Sequence, residues 1–393
     1  MAFLHESVLP LTLPAPGDLD RIGVVAAQVR TPALIYDLDL LSAQVARLRS
    51  DTVAIAHVQL CFAVKANRNP DVLRHLAALG LGADVASPAE LAAALAAGMF
   101  PIMATAPAWQ GADLANLATA GVTPDCDNVS QVERWGAETL LPRQIGLRLR
   151  TALAPHTDPT RRPTSRFGVS LDAPELWEAI ERYGLAISQL HVHTDVWADD
   201  AAIERLLDDL TVALQRLPDI ERINLGGGMA SLEATPARAR QVWLQVAEAV
   251  RDWQVWRQRP LEIVLEPGLG IAGMAGYLVA AVVATEDEPD GTRLATLDAS
   301  GWTLFPWVRP QPVLQIPIGT GASRPHDLAG NTCNEGDLLA HQVPLAPVQV
   351  GDRVVFAGAG AYVSSMYRAA HGMPVPGEWI LQGEQWRQSP SGI

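Results

Sequence analysis

An α/β architecture followed by a second, mainly β region is the fold this chain predicts. Three features carry that expectation. Short β-branched runs alternate with amphipathic helical stretches from Thr31 to about Gly276, and the residues able to do chemistry stand at the ends of those runs. After Gly276 the texture changes to a Pro-, Gly- and Val-rich pattern. The alternation suits either a (β/α)8 TIM-type barrel or a doubly wound sheet.

Taken in order, VQLCFAVKAN reads as a strand ending at Lys65, and PDVLRHLAALG as a helix with an apolar face of Val72, Leu73, Leu76 and Leu79. GLGADVAS is a second strand. PAELAAALAAG is a helix opened by Pro88 and closed by Gly98. The same unit returns at IGLRLRT, ISQLHVHT, RINLGGG and LEIVLEPG, each with its polar residues where barrel active sites are built. APHTDPTRRPTSRFG, with three prolines, reads as a mobile loop, while VVFAGAGAYV and QVPLAPVQVGDRVVF read as strands of an all-β domain.

The 393 residues carry a net charge of −14, which argues against a nucleic-acid binder, since that affinity rests on clustered Lys and Arg. Apolar runs such as YLVAAVVAT fall well short of the roughly 20 residues a membrane span requires. MAFLHESVLPLTLPAPGDLD has an acid where an export signal carries basic charge, and prolines break it. Three separated cysteines, Cys61, Cys126 and Cys333, suggest neither a disulfide framework nor a zinc site. A cytoplasmic protein in a reducing compartment is expected.

Of the 29 basic residues, Lys65 is the one lysine. A bias toward Arg explains the scarcity, yet leaves the survivor unexplained unless arginine cannot do its work. Arginine equals lysine in salt bridges but cannot form an imine, because its guanidinium stays protonated. The alternative is a leftover surface lysine. Gly226, Gly227 and Gly228, directly after a strand, could let a backbone approach a phosphate or simply make a tight turn. Glu266, ahead of Pro267 and Gly268, is either a surface acid or a carboxylate facing the pyridine nitrogen of a cofactor. His191 and His193 form an H-x-H pair whose side chains share one face of a strand. Such a pair can hold a metal, stack on a ring or sit satisfied in a core; with the other histidines scattered, no metal site is expected.

The ordered set TPALIYDLDLL, FAVKANRNPDVLRHLAALGLGADVASPAEL, SRFGV, HVHTD, LGGG, EPG, CNEGD and GAY resembles the ornithine and diaminopimelate decarboxylase family of fold-type III pyridoxal-phosphate enzymes, from about Thr31 to Gly372. The resemblance implies an eight-stranded barrel over residues 31–276, and a β-domain formed by 277–393 together with 1–30, which would explain a strand-like start before Thr31. It implies pyridoxal 5'-phosphate on Lys65 as a Schiff base, His193 stacked on its ring, Glu266 at the pyridine nitrogen, and Gly227, Gly228, Gly268 and Tyr362 around the cofactor and its phosphate. Asp84, Glu90 and Arg148 match charged residues that support the lysine and histidine. Cys333 matches a residue that reaches in from the partner of a homodimer with shared active sites and protonates the carbanion.

Some positions depart from the family. Leu269 and Val196 replace an Arg and a Ser, so two phosphate or substrate contacts are lost. Asn334 stands where relatives carry the acid that meets a substrate's distal ammonium, and Gln311 where they carry a second acid. With Arg309 and Trp302, these residues lead to the expectation of a conjugated, side-chain N-acylated amino acid, such as a siderophore precursor. The alternatives are a free diamino acid (diaminopimelate, ornithine or lysine) or a catalytically silent, cofactor-binding regulatory relative. A racemase of the same fold would place an Arg, not Glu266, at the ring nitrogen.

Overall fold

A computed structural model describes residues 15–138, 140–151, 164–194, 197, 199–233 and 235–392. The chain forms two compact units. One comprises Ala46–Val64 and Leu76–Pro267; the other takes the described residues up to Val45, Lys65–His75 and the described residues from Gly268 onward.

The first unit is a (β/α)8 barrel. Its strands are β2 (Val58–Ala63), β3 (Gly82–Val85), β4 (Ile102–Ala104), β5 (Asp125–Cys126), β6 (Gln144–Arg148), β7 (Ala186–His191), β8 (Arg222–Asn224) and β9 (Glu262–Leu265), numbered after β1 (Ala33–Asp37) of the other unit. They pair in parallel in the order β4-β3-β2-β9-β8-β7-β6-β5. Helices α3 (Pro70–Ala78), α4 (Pro88–Ala97), α5 (Gly111–Thr119), α6 (Val129–Ala137), α7 (Pro174–Tyr183), α8 (Asp200–Arg216), the short α9 (Ala230–Glu233) and α10 (Pro236–Arg257) connect them; α1 (Pro16–Ala26) and α2 (Leu38–Asp51) precede them. Side chains bridge the two ends of the strand order: Thr105 Oγ1, just after β4, donates to Asp125 Oδ2 of β5 at 3.3 Å, and Gln131 Nε2 donates to Ala106 O at 2.7 Å.

Local sequence explains these elements. In α4, Ser87 accepts the Glu90 N–H, Pro88 occupies the first turn and Gly98 closes the helix at φ 74°. Val72, Leu73 and Leu76 of α3 are buried as expected, whereas Leu79 lies beyond the helix end and is half-buried. Gly82 of β3 is forced: a Cβ there would stand 2.2 Å from Pro101 O and 2.8 Å from Cys61 Sγ.

The second unit is built on a nine-stranded sheet of β1, β10 (Gly276–Asp287), β11 (Arg293–Leu297), β12 (Gln311–Ile316), β13 (Arg324–Ala329), β14 (Leu338–Leu345), β15 (Arg353–Ala357), β16 (Gly377–Gln382) and β17 (Gln385–Gln388). β1 is an interior strand, antiparallel to β10 and parallel to β16, with all five residues buried. The compact units therefore divide the chain elsewhere than at residues 31 and 276: β1 belongs to the nine-stranded sheet because its backbone is paired there on both sides. The start before Thr31 is helical, not strand-like, over Pro16–Ala26. Ile22, Val25, Ala26 and Val29 are buried at helical spacing against Ala33, Ile35, Tyr277 and Val355. Residues 1–14, where the export-signal reading begins, and residues 152–163, most of the expected mobile loop, lie outside the described residues. Among the described residues, no helix is long and apolar enough to cross a membrane.

Candidate active site

The barrel gathers its polar residues at the carboxyl ends of its strands. Glu266 is the first residue after β9, 2% exposed; Asn224, the last of β8, donates Nδ2–H to its Oε1 at 2.5 Å. Glu266 N–H in turn donates to Gly226 O at 2.8 Å. Gly226 has φ 68°, and a Cβ on it would lie 2.6 Å from Val192 O. A Cβ on Gly227 would lie 2.8 Å from Glu266 O and 3.4 Å from His193 Cε1. Gly228 follows at φ 79°. Glycine is thus demanded by close approach as well as by dihedral angle. Trp197, buried on Trp243 with ring centroids 5.4 Å apart, donates its indole N–H to Gly227 O at 3.1 Å and anchors the turn.

The two histidines differ in setting. His191 ends β7 and is 2% exposed, while His193 lies two residues beyond the strand with its side chain one-third exposed. His193 Nδ1 accepts the Gly227 N–H at 3.3 Å and stands 3.8 Å from Glu266 Oε2. His191 Nε2 is 3.6 Å from the same carboxylate oxygen. Donor atoms of His191, His193 and Glu266 lie within 4.8 Å of one another, a spacing a divalent ion would accept. The Gly227 N–H, however, already occupies the His193 nitrogen that faces Glu266. Arg148, at the end of β6, pairs with Asp127 at 3.1 Å and lies 4.5 Å over the Phe167 ring. Burial pushes the Asp127 carboxyl up, with Arg148 pulling against it. Asp84 is buried on β3, and Glu90 on α4 accepts the Ala86 N–H at 2.8 Å.

In the other unit Lys65 sits in a single turn, Val64–Ala66. The Ala66 carbonyl accepts from Tyr362 N at 2.8 Å and Ser365 Oγ at 3.1 Å, while Asn67 Nδ2 donates to Gly360 O at 2.8 Å. The lysine's turn is thereby fastened to the GAY segment. Tyr362 has φ 58° and its ring lies 5.5 Å from that of Trp307. Gly268 precedes the short helix α11 (Leu269–Ala272), which holds Leu269. Cys333 is exposed between β13 and β14. Asn334 Oδ1 accepts Gly336 N–H at 2.8 Å within the same turn. Asp337 organises that turn, taking Thr332 Oγ1–H at 2.6 Å and the Trp302 N–H at 3.0 Å. Trp302 meets His371 edge to face at 6.2 Å. Gln311 Nε2 donates to Arg309 O at 3.0 Å, and Arg309 to Phe305 O and Val308 O. Val196 lies outside the described residues.

Asn224, Trp197, Asp127 and Asp337 were not singled out from the sequence. Asp125 and Asp127 form a D-x-D alternation in PDCDN that would put both on one face of a strand, a signal that was available.

A family described as pyridoxal-dependent decarboxylase, pyridoxal binding domain, matches residues 41–273. The chain belongs to that family. It is a pyridoxal-phosphate-dependent amino-acid decarboxylase, as expected from the sequence. It is 29% identical to the diaminopimelate decarboxylase of Deinococcus radiodurans, over 94% of this chain and 96% of the relative. It is 27% identical to that of Streptomyces coelicolor, over 95% and 90%. In fold it matches a crystal structure of a diaminopimelate decarboxylase with a TM-score of 0.81 at 21% identity, covering 93% and 92% of the two chains. The arginine decarboxylase of Paramecium bursaria Chlorella virus gives 0.76 at 19%, covering 94% and 100%. The residues present suit the family's cofactor: a buried carboxylate can face a protonated ring nitrogen, and a turn of glycines leaves backbone room where any Cβ would collide.

Proposed function

We propose that this enzyme removes the α-carboxylate of a free diamino acid of the diaminopimelate type. The observation that carries this reading is similarity over nearly the whole chain to relatives named diaminopimelate decarboxylase. These relatives favour the free diamino acid over the conjugated, siderophore-related substrate that the pocket residues led us to expect.

Lys65 would hold the cofactor, and Glu266 would keep its ring nitrogen protonated. His193 would bind its ring, and Gly227, Gly228, Gly268 and Tyr362 would receive its phosphate. The cofactor supplies an electron sink for the pair left on Cα when carbon dioxide departs. Asp84, Glu90 and Arg148 fix the polar surroundings. Cys333, given by the partner of a homodimer, returns a proton to Cα. With Cys61 and Cys126 buried and Cys333 a free thiol, the enzyme works in the reducing cytoplasm.

An acylated substrate remains the second reading, because an amide, Asn334, stands in the CNEGD turn where the family resemblance implies an acid. An unpaired buried charge costs at least the 1.5 to 3 kcal/mol, roughly, of a hydrogen bond to a charged group. Steady-state assays on diaminopimelate, ornithine, lysine and their N-acyl derivatives separate the two. A kcat/KM for diaminopimelate of about 10⁴ M⁻¹s⁻¹ or more is expected. Turnover of the acylated compounds alone would reverse the assignment.

A further inference from the structure

Below the rim of the barrel, Asp125, His191 and Glu266 form a buried row, at 0, 2 and 2% exposure, whose central member has no part in the roles above. They come from β5, the end of β7 and the residue after β9. His191 Nδ1 lies 2.9 Å from Thr105 Oγ1 and 3.4 Å from Asp125 Oδ2. The Thr105 hydroxyl donates its proton to that same Asp125 oxygen, so a lone pair faces the ring and Nδ1 must carry a hydrogen. On the opposite side, His191 Nε2 is buried without a hydrogen-bond partner, and Glu266 Oε2 stands 3.6 Å away. A bare nitrogen lone pair would repel that carboxylate; an N–H attracts it. Both ring nitrogens are thus asked to be protonated.

We propose that His191 is a positioning residue, a buried imidazolium between two carboxylates that keeps Glu266 ionised and aimed, leaving the row one net negative charge for the cofactor ring. The inference rests on the reading that Glu266 faces the pyridine nitrogen. Two carboxylates buried together without a cation would have to take up a proton, and Glu266 would then have no charge to offer. Among the described residues, charged and titratable groups near the ring include Glu266, Asp125, His193 and, from β6, Arg148 with its partner Asp127. Burial disfavours the charged imidazole, but Glu266 and then Asp125 outweigh it and raise its pKa above the ordinary value, with Arg148 opposing. His193, 6.3 Å away and edge-on, is far more exposed.

The direct test is nitrogen-15 NMR of the cofactor-free enzyme with labelled imidazoles. The His191 signals should be those of a doubly protonated ring throughout the range around the ordinary histidine value near 6.5, above it as well as below it. Asp125→Asn should let the ring become neutral within that range. A neutral tautomer at about pH 7 in the unaltered chain overturns the proposal, and this arm decides even if the variants fail to fold. The second arm uses ring-labelled cofactor: His191→Gln should shift the bound pyridine nitrogen toward its unprotonated signal and weaken cofactor binding about tenfold, the equivalent of one pKa unit. Glu266→Gln tests the underlying reading. No change in the ring-nitrogen signal with Glu266→Gln removes Glu266 from the ring, whereas a change with Glu266→Gln and none with His191→Gln overturns the role of His191 alone.

Discussion

Lys65 could be singled out without any fold, because in a chain that otherwise uses arginine for positive charge it is the one amine able to condense with a carbonyl. Borohydride reduction should therefore attach one cofactor mass to the peptide containing Lys65, and Lys65→Ala should abolish the yellow chromophore. Lys65→Arg should be equally inactive, since charge is not what the position supplies; labelled peptide elsewhere would overturn the assignment. Glu266 was legible as a carboxylate before a Pro-Gly turn. What sets its ionisation was not: Asn224 is 42 residues away, and Thr105, which orients His191, is 86 residues from it. No local pattern couples residues so separated. The structure also divides the H-x-H pair, because β7 ends at His191 and leaves His193 near the surface.

Among elements, two glycines separate backbone conformation from close packing. Gly98 closes α4 at φ 74° with nothing within 4 Å of a Cβ, so Gly98→Ala should cost about 1 kcal/mol, read as a small loss in denaturant midpoint. Gly82→Ala must displace the Pro101 carbonyl or the Cys61 thiol and should lower the midpoint several times further; equal losses at the two sites would refute the packing argument. Asp71, in the first turn of α3, is tied to Arg387 and Ser389 of the C-terminal segment at 2.6 Å each. The Arg387 hydrogen bond holds its carboxyl at about 2. Because this folded-state pKa is depressed, the stabilisation is full above the unfolded value near 3.9 and is lost as pH falls through about 2. The melting-temperature gap between the wild type and Asp71→Asn should accordingly be constant near neutrality and close between about pH 4 and 2. A gap independent of pH would show that Asp71 acts through shape alone.

At the scale of the whole molecule, the assignment of Cys333 to a partner subunit carries a test of its own. Inactive Lys65→Ala mixed with an impaired Cys333→Ala should regain activity, up to about a quarter of the wild-type level, through heterodimers holding one intact site. No recovery after verified subunit exchange would mean that the two residues act within one chain. The boundary between the units was harder to read than their types. β1 is as apolar as a barrel strand, and its place in the nine-stranded sheet depends on pairing with β10 and β16, which lie more than 200 residues away in sequence. The helix α1 was legible in the spacing of Ile22, Val25 and Ala26, and the strand reading before Thr31 gave that period too little weight.

The sequence by itself determined the repeating βα unit, the one lysine chemically able to form an imine and the family, because periodicity, residue chemistry and ordered motifs are written along the chain. Only the tertiary structure decided which strands share a sheet, why Gly82 and Gly227 admit no side chain, and that His191 lies between Asp125 and Glu266. Those outcomes are set by distances across the barrel of a few ångströms between residues dozens of positions apart. At that range, burial and charge act on a side chain through its neighbours in space rather than its neighbours in sequence.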